Sequence, residues 1–523
     1  MLSRGGSVRT VLRAAARCEP VCEGTRQSVG ESEWVVSDET GWRVGGCPAW
    51  LHSLVAVTHR APTDARGALA GQELHGSPPP RRDVPGARMR TLAPTDQPKA
   101  RQARRRIVLT TFGSLGDLYP YITIAQGLQA RGHEAVIATT RHYRQQIEAR
   151  GIGFHAVRPD GPDLNTDRAA MQRVMDARKG TEYVVRRLLM PALQESYEDL
   201  LGAAQRADLL ISHVLTYAAR LVAEKNGIPW ASAFLQPLGF FSAYDPPVLP
   251  QMPFLAKLRF LGSAFHRPFF GLAKWSCRSW GAPWFELRAA LGLPPTADHP
   301  LFEGLYSPSL VLALFSPLFA AKQPDWPRQT VVTGFPFFDE NGEAELSPEL
   351  AGFLDAGPPP LVFTLGSSGA ESAGPFYERS VAAAKLLGRR AILIVGKDQA
   401  NRPASLPDDI MVFDYSPFLK LFPRAAAVVH AGGIGTTGLA MYCGRPMLVM
   451  PYAHDQFDNA ARATRLGMAR IIPQRRYLPT LVAAELRQLL DNPMYAERAL
   501  GIGARMRQED AVSAACDALE ELL

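Results

Sequence analysis

The chain has 523 residues, 46% of them hydrophobic and 20% charged, enough for two or three domains with buried cores and the balance of an ordinary globular protein. No run reaches the ~18 apolar residues of a spanning helix, so an integral membrane protein is not expected. The net charge of +7 is local: residues 1–106 hold 17 Lys and Arg against 10 Asp and Glu, and residues 107–523 carry 40 of each, which argues against a nucleic-acid groove in the body of the protein.

Six cysteines, at positions 18, 22, 47, 277, 443 and 516, show neither Cys-x-x-Cys spacing nor nearby His ligands. No zinc site or disulfide framework is indicated, and a reducing cytoplasm is the expected setting.

Residues 1–105 contain Arg, Pro and Gly clusters such as "GSPPPRRDVPGARMR" and no sustained period of 2 or 3.6. They read as a disordered leader or as the product of an upstream start, with Met89 the alternative initiator. The Arg-rich opening also fits a targeting segment, although acidic residues soon follow.

Order is expected from "RRRIVLTTFGSLGDLYPYITIAQGLQARGHEAVIATT" onward. A β-branched run is followed by a turn with helix-start residues, a helical apolar pattern closing on Gly132, and a second strand. The same β-α-β alternation recurs in "DLLISHV", "LTYAARLVAEKNG" and "PWASAFL". His133 reads as a turn residue before a strand. A second series starts at "PLVFTLGSSGA" and runs through "RAILIVG", "IMVFDYSP", "AAAVVHAGG" and "PMLVMPY" to a helical region from about Thr480.

The predicted fold class is therefore α/β, with two doubly wound, Rossmann-like parallel-sheet domains facing a cleft. The expected boundaries are a leader over 1–105, an N-terminal domain over 106–335, a linker over 336–350 and a C-terminal domain over 351–523.

In "AVVHAGGIGTTGLAMYCG" a strand runs into a Gly-rich turn and a helix, so free backbone N–H groups around Gly433, Gly435, Thr436 and Thr437 would meet an anion. The turn lacks the Gly-Lys-Ser/Thr ending of a P-loop and the spacing of G-x-G-x-x-G. A diphosphate that departs, rather than a phosphoryl group that is transferred, needs only such a cradle. A tight strand–helix turn would explain the glycines but not the two threonines.

The segments "YSPFLKLFPRAAAVVHAGGIGTTGLAMYCGRPMLVMPYAHDQFDNAARATRLG" and "VLTTFGSLGDLYPYITIAQGLQARGHEAVIAT" resemble the family 1 and family 28 glycosyltransferases of GT-B fold, including sterol glucosyltransferase-like and rhamnosyltransferase-like members. The resemblance spans residues 106 to about 520. It implies a diphosphate cradle at Gly432, Gly433, Gly435, Thr436 and Thr437 with Ser367 as a further phosphate contact. It also implies that Asp455 and Gln456 bind donor-sugar hydroxyls, and that Tyr415 and Phe418 of "YSPF" flank the nucleotide base. A carboxylate beside an amide can accept from and donate to neighbouring hydroxyls. Where many relatives have His directly before the double glycine, this chain has Ala431, with His430 one place earlier as a core or hinge histidine. Leu439 stands where plant relatives carry a Glu for the ribose.

In the N-terminal half, Asp117 is the one ionisable residue of "TFGSLGDLYP". The resemblance makes it the base for an acceptor hydroxyl; helix capping is the alternative role, and one residue can serve both. The stretch 234–290 is rich in Phe, Trp, Lys and Arg. It reads either as helix packing or as a greasy acceptor pocket, with Phe240, Phe241 and Trp275 as its lining, beside a membrane-facing surface.

The resulting expectation is an inverting, metal-independent hexosyltransferase without a bound cofactor. Its donor would be a nucleotide-diphosphate sugar of UDP-glucose or dTDP-rhamnose type, and its acceptor a lipophilic hydroxyl compound. It would be cytoplasmic, with peripheral contact to an anionic membrane and no nucleic-acid partner. The alternatives are a sugar-nucleotide epimerase of the same architecture and a non-catalytic nucleotide-sugar-binding homologue.

Overall fold

The computed structural model describes residues 39–44, 47–52, 103–160, 168–338, 345–369 and 373–523. Met89 and most of the stretch read as a leader lie outside them. Residues 1–96 form a unit by themselves. In it, strands β1 (Glu39–Val44) and β2 (Cys47–His52) pair antiparallel, with Glu39 opposite His52 and Val44 opposite Cys47.

The second unit, from residue 97 onward, holds two parallel sheets. The first comprises β3 (Arg106–Thr110), β4 (Glu134–Thr139), β5 (Gly153–Ala156), β6 (Leu209–His213), β7 (Trp230–Phe234), β8 (Leu310–Ala313) and β9 (Thr330–Val332), in the order β5-β4-β3-β6-β7-β8-β9. The second comprises β10 (Leu361–Thr364), β11 (Ala391–Ile394), β12 (Ile410–Phe413), β13 (Ala427–His430), β14 (Met447–Val449) and β15 (Ala469–Ile471), in the order β12-β11-β10-β13-β14-β15. Both are doubly wound. In each the order reverses beside the first strand, so crevices open where β3 meets β6 and where β10 meets β13.

Successive strand residues enter different cores. Ile107 and Leu109 pack with Ile137 and Ile211 on one face, and Val108 packs with Val136 and Leu210 on the other. Burial on both faces is what the continuous apolar runs encode.

Helix α1 (Leu115–Ala130) follows β3, α2 (Ala218–Asn226) follows β6, and α3 (Gly262–Ser276) lies in the long excursion between β7 and β8. In the second half, α4 (Ile434–Tyr442) follows β13 and α5 (Gln456–Arg465) follows β14.

The last helix, α6 (Ala511–Glu520), returns to the first sheet: Cys516 and Leu519 are buried in its core, and Arg131 pairs with Asp517 at 2.6 Å and Glu520 at 2.7 Å. His133 is buried, with Nε2 3.0 Å from Glu520, so it joins the chain terminus to the N-terminal domain as well as ending a turn. Among the described residues no helix is long and apolar enough to cross a membrane.

Candidate active site

Asp117 sits in the first turn of α1, at the crevice between β3 and β6. Its Oδ2 accepts from the Ser114 backbone N–H at 2.8 Å and from the Ser114 hydroxyl at 3.1 Å, while Ser114 Oγ accepts from Gly116 N–H at 3.3 Å. The residue thus has its capping role, in a capping box. Gly113 has φ +139, and a Cβ there would lie 2.3 Å from Asp117 Oδ2, so glycine permits the close approach of the carboxylate to the turn.

The other carboxylate oxygen, Oδ1, is 3.6 Å from Nε2 of His213, the last residue of β6. His213 is buried, its Nδ1 accepts from Leu215 N–H at 3.4 Å, and its Nε2 has no hydrogen-bond partner. Burial lowers its pKa against the opposing pull of Asp117, so the ring is neutral and Nε2 bears the proton, facing the carboxylate. Tyr121 stands edge-on to His213 with centroids 6.0 Å apart, and burial followed by the Asp117 charge raises its pKa well above the ordinary value. Neither group was singled out from the sequence. The usable signal for His213 was a polar residue ending an apolar strand at the switch point.

Across the cleft, His430 ends β13. Its Nδ1 accepts from Gly432 N–H at 3.0 Å, its Nε2 is 3.1 Å from Met447 Sδ, and burial takes its pKa down to about 3. It is a neutral core residue that shapes the Gly-rich turn. Gly432 has φ +88, and a Cβ there would meet Val449 at 2.8 Å. Gly433 is the N-cap of α4 and supplies no side-chain cap. A Cβ added at Gly433 or Gly435 would meet nothing within 4 Å, so the uncapped N–H groups open onto free space. Thr436 Oγ1 faces the turn Gly366–Gly369, being 3.4 Å from a Cβ placed on Gly366. Thr437 turns inward, its hydroxyl donating to Gly433 O at 2.9 Å. Ser367 belongs to the Gly366–Gly369 turn, which contacts α1; its side chain lies outside what the structure describes.

Asp455 is the N-cap of α5, and Gln456 is its first residue. Gln456 Oε1 accepts from Tyr452 N–H at 2.8 Å and Ala453 N–H at 3.2 Å, which fixes the loop and leaves the amide donors for other partners. Asn459, unnoticed in the sequence although it is i+4 from Asp455, donates to Asp455 Oδ2 at 2.7 Å and to Gly432 O at 3.0 Å. One carboxamide therefore ties the glycine turn to Asp455.

Burial, opposed by the Asn459 hydrogen bond and reinforced by the Asp117 charge, raises the Asp455 pKa to about 7. Asp117 also acts on His454, whose Nδ1 is 3.2 Å from Thr181 Oγ1 of the N-terminal domain. The acid of one sheet and the Asp-Gln pair of the other thus share one electrostatic neighbourhood. A carboxyl group with a pKa near 7 predominantly holds its proton below neutrality and accepts fewer hydrogen bonds. Binding of a sugar hydroxyl to the carboxylate should therefore release protons near pH 6, measurable by calorimetry in buffers of different ionisation enthalpy; Asp455→Asn should abolish that release. Release unchanged in the variant would assign it to another group.

The base-flanking pair is divided: Tyr415 is exposed, whereas Phe418 stacks on Phe422 at 4.6 Å. The three aromatics expected to line an acceptor pocket are also not brought together. Phe240 lies in the core, stacked on Trp326 at 3.9 Å; Phe241 packs edge-on to Phe302 at 4.9 Å and Phe270 at 5.7 Å; Trp275 is 70% exposed.

A narrow pocket instead opens at the carboxyl ends of β3 and β6, lined by Thr111, Phe112, Leu193, Leu215 and Tyr217. A cleft of about 670 Å³ lies between Met175, Asp176 and Arg178 on one side and Ala373, Asn401, Tyr452 and Gln474 on the other. Among the described residues, no group of three or more His, Cys, Asp and Glu side chains is placed to hold a metal ion.

Two doubly wound parallel-sheet domains are the GT-B architecture. The glycosyltransferase family 28 N-terminal domain matches residues 107–239, and the erythromycin biosynthesis protein CIII-like C-terminal domain matches residues 380–522. The chain is 33% identical over 429 residues to O-mycaminosyltylonolide 6-deoxyallosyltransferase of Streptomyces fradiae, covering 80% of this chain and 97% of that one. It is 30% identical to vancomycin aglycone glucosyltransferase of Amycolatopsis orientalis (78% and 96% covered) and 24% identical to a sterol 3-beta-glucosyltransferase of Arabidopsis thaliana (80% and 68%). The solved calicheamicin glycosyltransferase CalG4 superposes with a TM-score of 0.60 at 17% identity, covering 80% of this chain and 98% of that one. The chain belongs to the GT-B glycosyltransferases of family 28 type, and it is a glycosyltransferase.

Proposed function

We propose that this glycosyltransferase moves a hexose, with inversion, from a nucleoside-diphosphate sugar to a hydroxyl of a lipophilic acceptor such as a sterol, lipid or hydrophobic natural product. The observation that carries the reading is the uncapped N-terminus of α4, whose glycine turn Asn459 ties to Asp455, with Asp117 at the crevice of the other sheet.

Asp117 takes the acceptor proton; Ser114 holds its Oδ2, and the buried His213 Nε2 stands 3.6 Å from its Oδ1. The acceptor oxygen attacks the anomeric carbon, and the bond from that carbon to the diphosphate oxygen breaks with its electron pair on the diphosphate. The N–H groups at Gly433, Gly435 and Thr436 stabilise the departing charge, so no metal or bound cofactor is required. Preorganised donors of this kind contribute ~3–4 kcal/mol each. Asp455 and Gln456 select the sugar.

Two observations support the donor and acceptor classes: the activities of the O-mycaminosyltylonolide, vancomycin aglycone and sterol relatives, and the solved glycosyltransferase VinC, 21% identical, in complex with dTDP.

The direct test is nucleoside-diphosphate release from a panel of UDP- and dTDP-sugars, with and without lipophilic acceptors. Release that never depends on acceptor, or a donor converted only to its epimer, would sink the reading. Gly435→Val combined with Thr436→Ala should weaken diphosphate binding by a factor on the order of 10², through the lost contacts of a charged ligand. The fold should persist, since apart from its own helix backbone and chain neighbours no protein atom lies within 4 Å of a Cβ at Gly435. Undiminished binding by calorimetry would place the phosphates elsewhere.

A further inference from the structure

Helix α3 has two apolar faces. Its inner face carries His266 and Phe270, both buried, and Phe270 meets Phe241 behind it. Its outer face carries Phe265, Pro268, Leu272 and Trp275, preceded by Leu261, at alternating spacings of four and three residues. Such spacing puts side chains on one line along a helix.

That line faces solvent: Leu272 is 62% and Trp275 70% exposed, and Phe260, just before the helix, is 80% exposed. It extends over ~21 Å at 1.5 Å per residue. An exposed apolar patch of this continuity marks a contact surface.

Charge selects its occupant. Residues 246–285 contain five basic residues, Lys257, Arg259, Arg267, Lys274 and Arg278, and no Asp or Glu. Arg259 and Lys274 reach to Asp245 and Glu303, while Lys257, Arg267 and Arg278 are exposed. A second copy would set this excess of positive charge against itself. The four outward side chains Phe265, Pro268, Leu272 and Trp275 bring at most the indole N–H for reading a polar partner.

We infer that the outer face of α3 with Phe260 is a peripheral docking surface for an anionic phospholipid bilayer, its apolar stripe entering the headgroup boundary and its basic residues meeting the lipid charge. This deepens, and rests on, the reading that the acceptor is lipophilic: the inner face of the same helix packs on Phe241, which follows the carboxyl end of β7, so the docked face backs onto the acceptor domain.

The test is sedimentation of the full chain with vesicles of phosphatidylcholine alone or mixed with phosphatidylglycerol, without donor or acceptor. Binding is expected on the anionic vesicles at low salt and should weaken as salt screens the charges. Phe260→Glu combined with Leu272→Glu should reduce partitioning at least ~10-fold by placing charge in the apolar stripe. Both side chains point outward, so melting and turnover of a water-soluble acceptor analogue should be unchanged. The fluorescence blue-shift on binding should be lost in Trp275→Phe.

No preference for anionic vesicles, binding that the double variant retains, or a dimer that the double variant dissolves would each overturn the inference, the last by assigning the stripe to a second copy. Failure of the lipophilic-acceptor reading would instead show in the acceptor panel, with vesicle binding intact.

Discussion

Asp117→Asn is expected to lower turnover by a factor on the order of 10²–10⁴, with donor affinity retained, because a positioned base contributes that much. The substitution isolates proton acceptance from capping. An amide oxygen can still accept from Ser114 N–H and the Ser114 hydroxyl, the bonds the carboxylate makes at 2.8 and 3.1 Å, so the start of α1 should persist. An amide cannot take a proton from an acceptor hydroxyl. Asp117→Ala would remove the cap as well and should add a stability loss of ~1 kcal/mol. Comparing the two variants by turnover and by melting separates the roles. Unchanged turnover in Asp117→Asn would reduce the residue to a cap.

His213 stands beside the acid in this step. A neutral imidazole whose Nδ1 accepts from a backbone N–H can only donate from Nε2, and that atom faces Asp117 Oδ1 at 3.6 Å. At that separation the two atoms are electrostatic neighbours and not a hydrogen-bonded pair. Ser114 holds Oδ2 through its backbone N–H and its hydroxyl, so one side of the acid is fixed before an acceptor arrives.

The two sheets were legible because a β-α-β unit is a local pattern: each strand is a short β-branched run, and each helix repeats near 3.6. The Gly-rich turn was legible for the same reason, since strand, turn and helix are contiguous from Ala427 to Tyr442. His213 was not. It is 96 positions from Asp117, and only the reversal of strand order beside β3 brings them together. The return of α6 to the first sheet is equally non-local; its amphipathic sequence specifies that it packs, not on which domain.

The aromatic-rich stretch shows another limit. Density of Phe and Trp does not distinguish a residue under the sheet, such as Phe240, from one on an outer helix face, such as Trp275. Helical spacing within α3 does separate its faces, but both are apolar, so the pattern alone leaves the buried one unidentified.

The second large effect is expected at the charges that join the domains. Asp245, in the excursion after β7, and Asp458, on α5, both pair with Arg462, whose Nε donates to Asp458 at 2.7 Å and whose Nη1 donates to Asp245. Asp458 Oδ1 also accepts from Val248 N–H at 3.0 Å. Arg462 is 2% exposed and Asp458 0%, so water cannot replace the guanidinium.

Arg462→Leu should therefore destabilise the protein by ~3–5 kcal/mol, the cost of leaving buried charges uncompensated. Arg462→Lys should recover only part, because one ammonium cannot reproduce the planar fork that engages two carboxylates. The pH dependence identifies the cause. Burial opposes ionisation of Asp245, but Arg462 and then Arg259 outweigh it and hold its pKa below the ordinary aspartate value. Its contribution in the wild type is thus present above pH ~4 and lost as pH falls through the lower folded value.

In Arg462→Leu, Asp245 loses that partner, its folded pKa rises, and its protonation relieves the buried charge. The stability gap between variant and wild type should accordingly shrink on acidification from pH 7 toward pH 4. Urea unfolding at several pH values measures it. A gap under ~1 kcal/mol at pH 7, or one that widens with acid, would mean that packing rather than these charges holds the excursion against α5. Because α5 starts at the Asp455–Gln456 pair, Arg462→Leu should also weaken donor binding at temperatures where the chain is still folded, by loosening the helix that presents them.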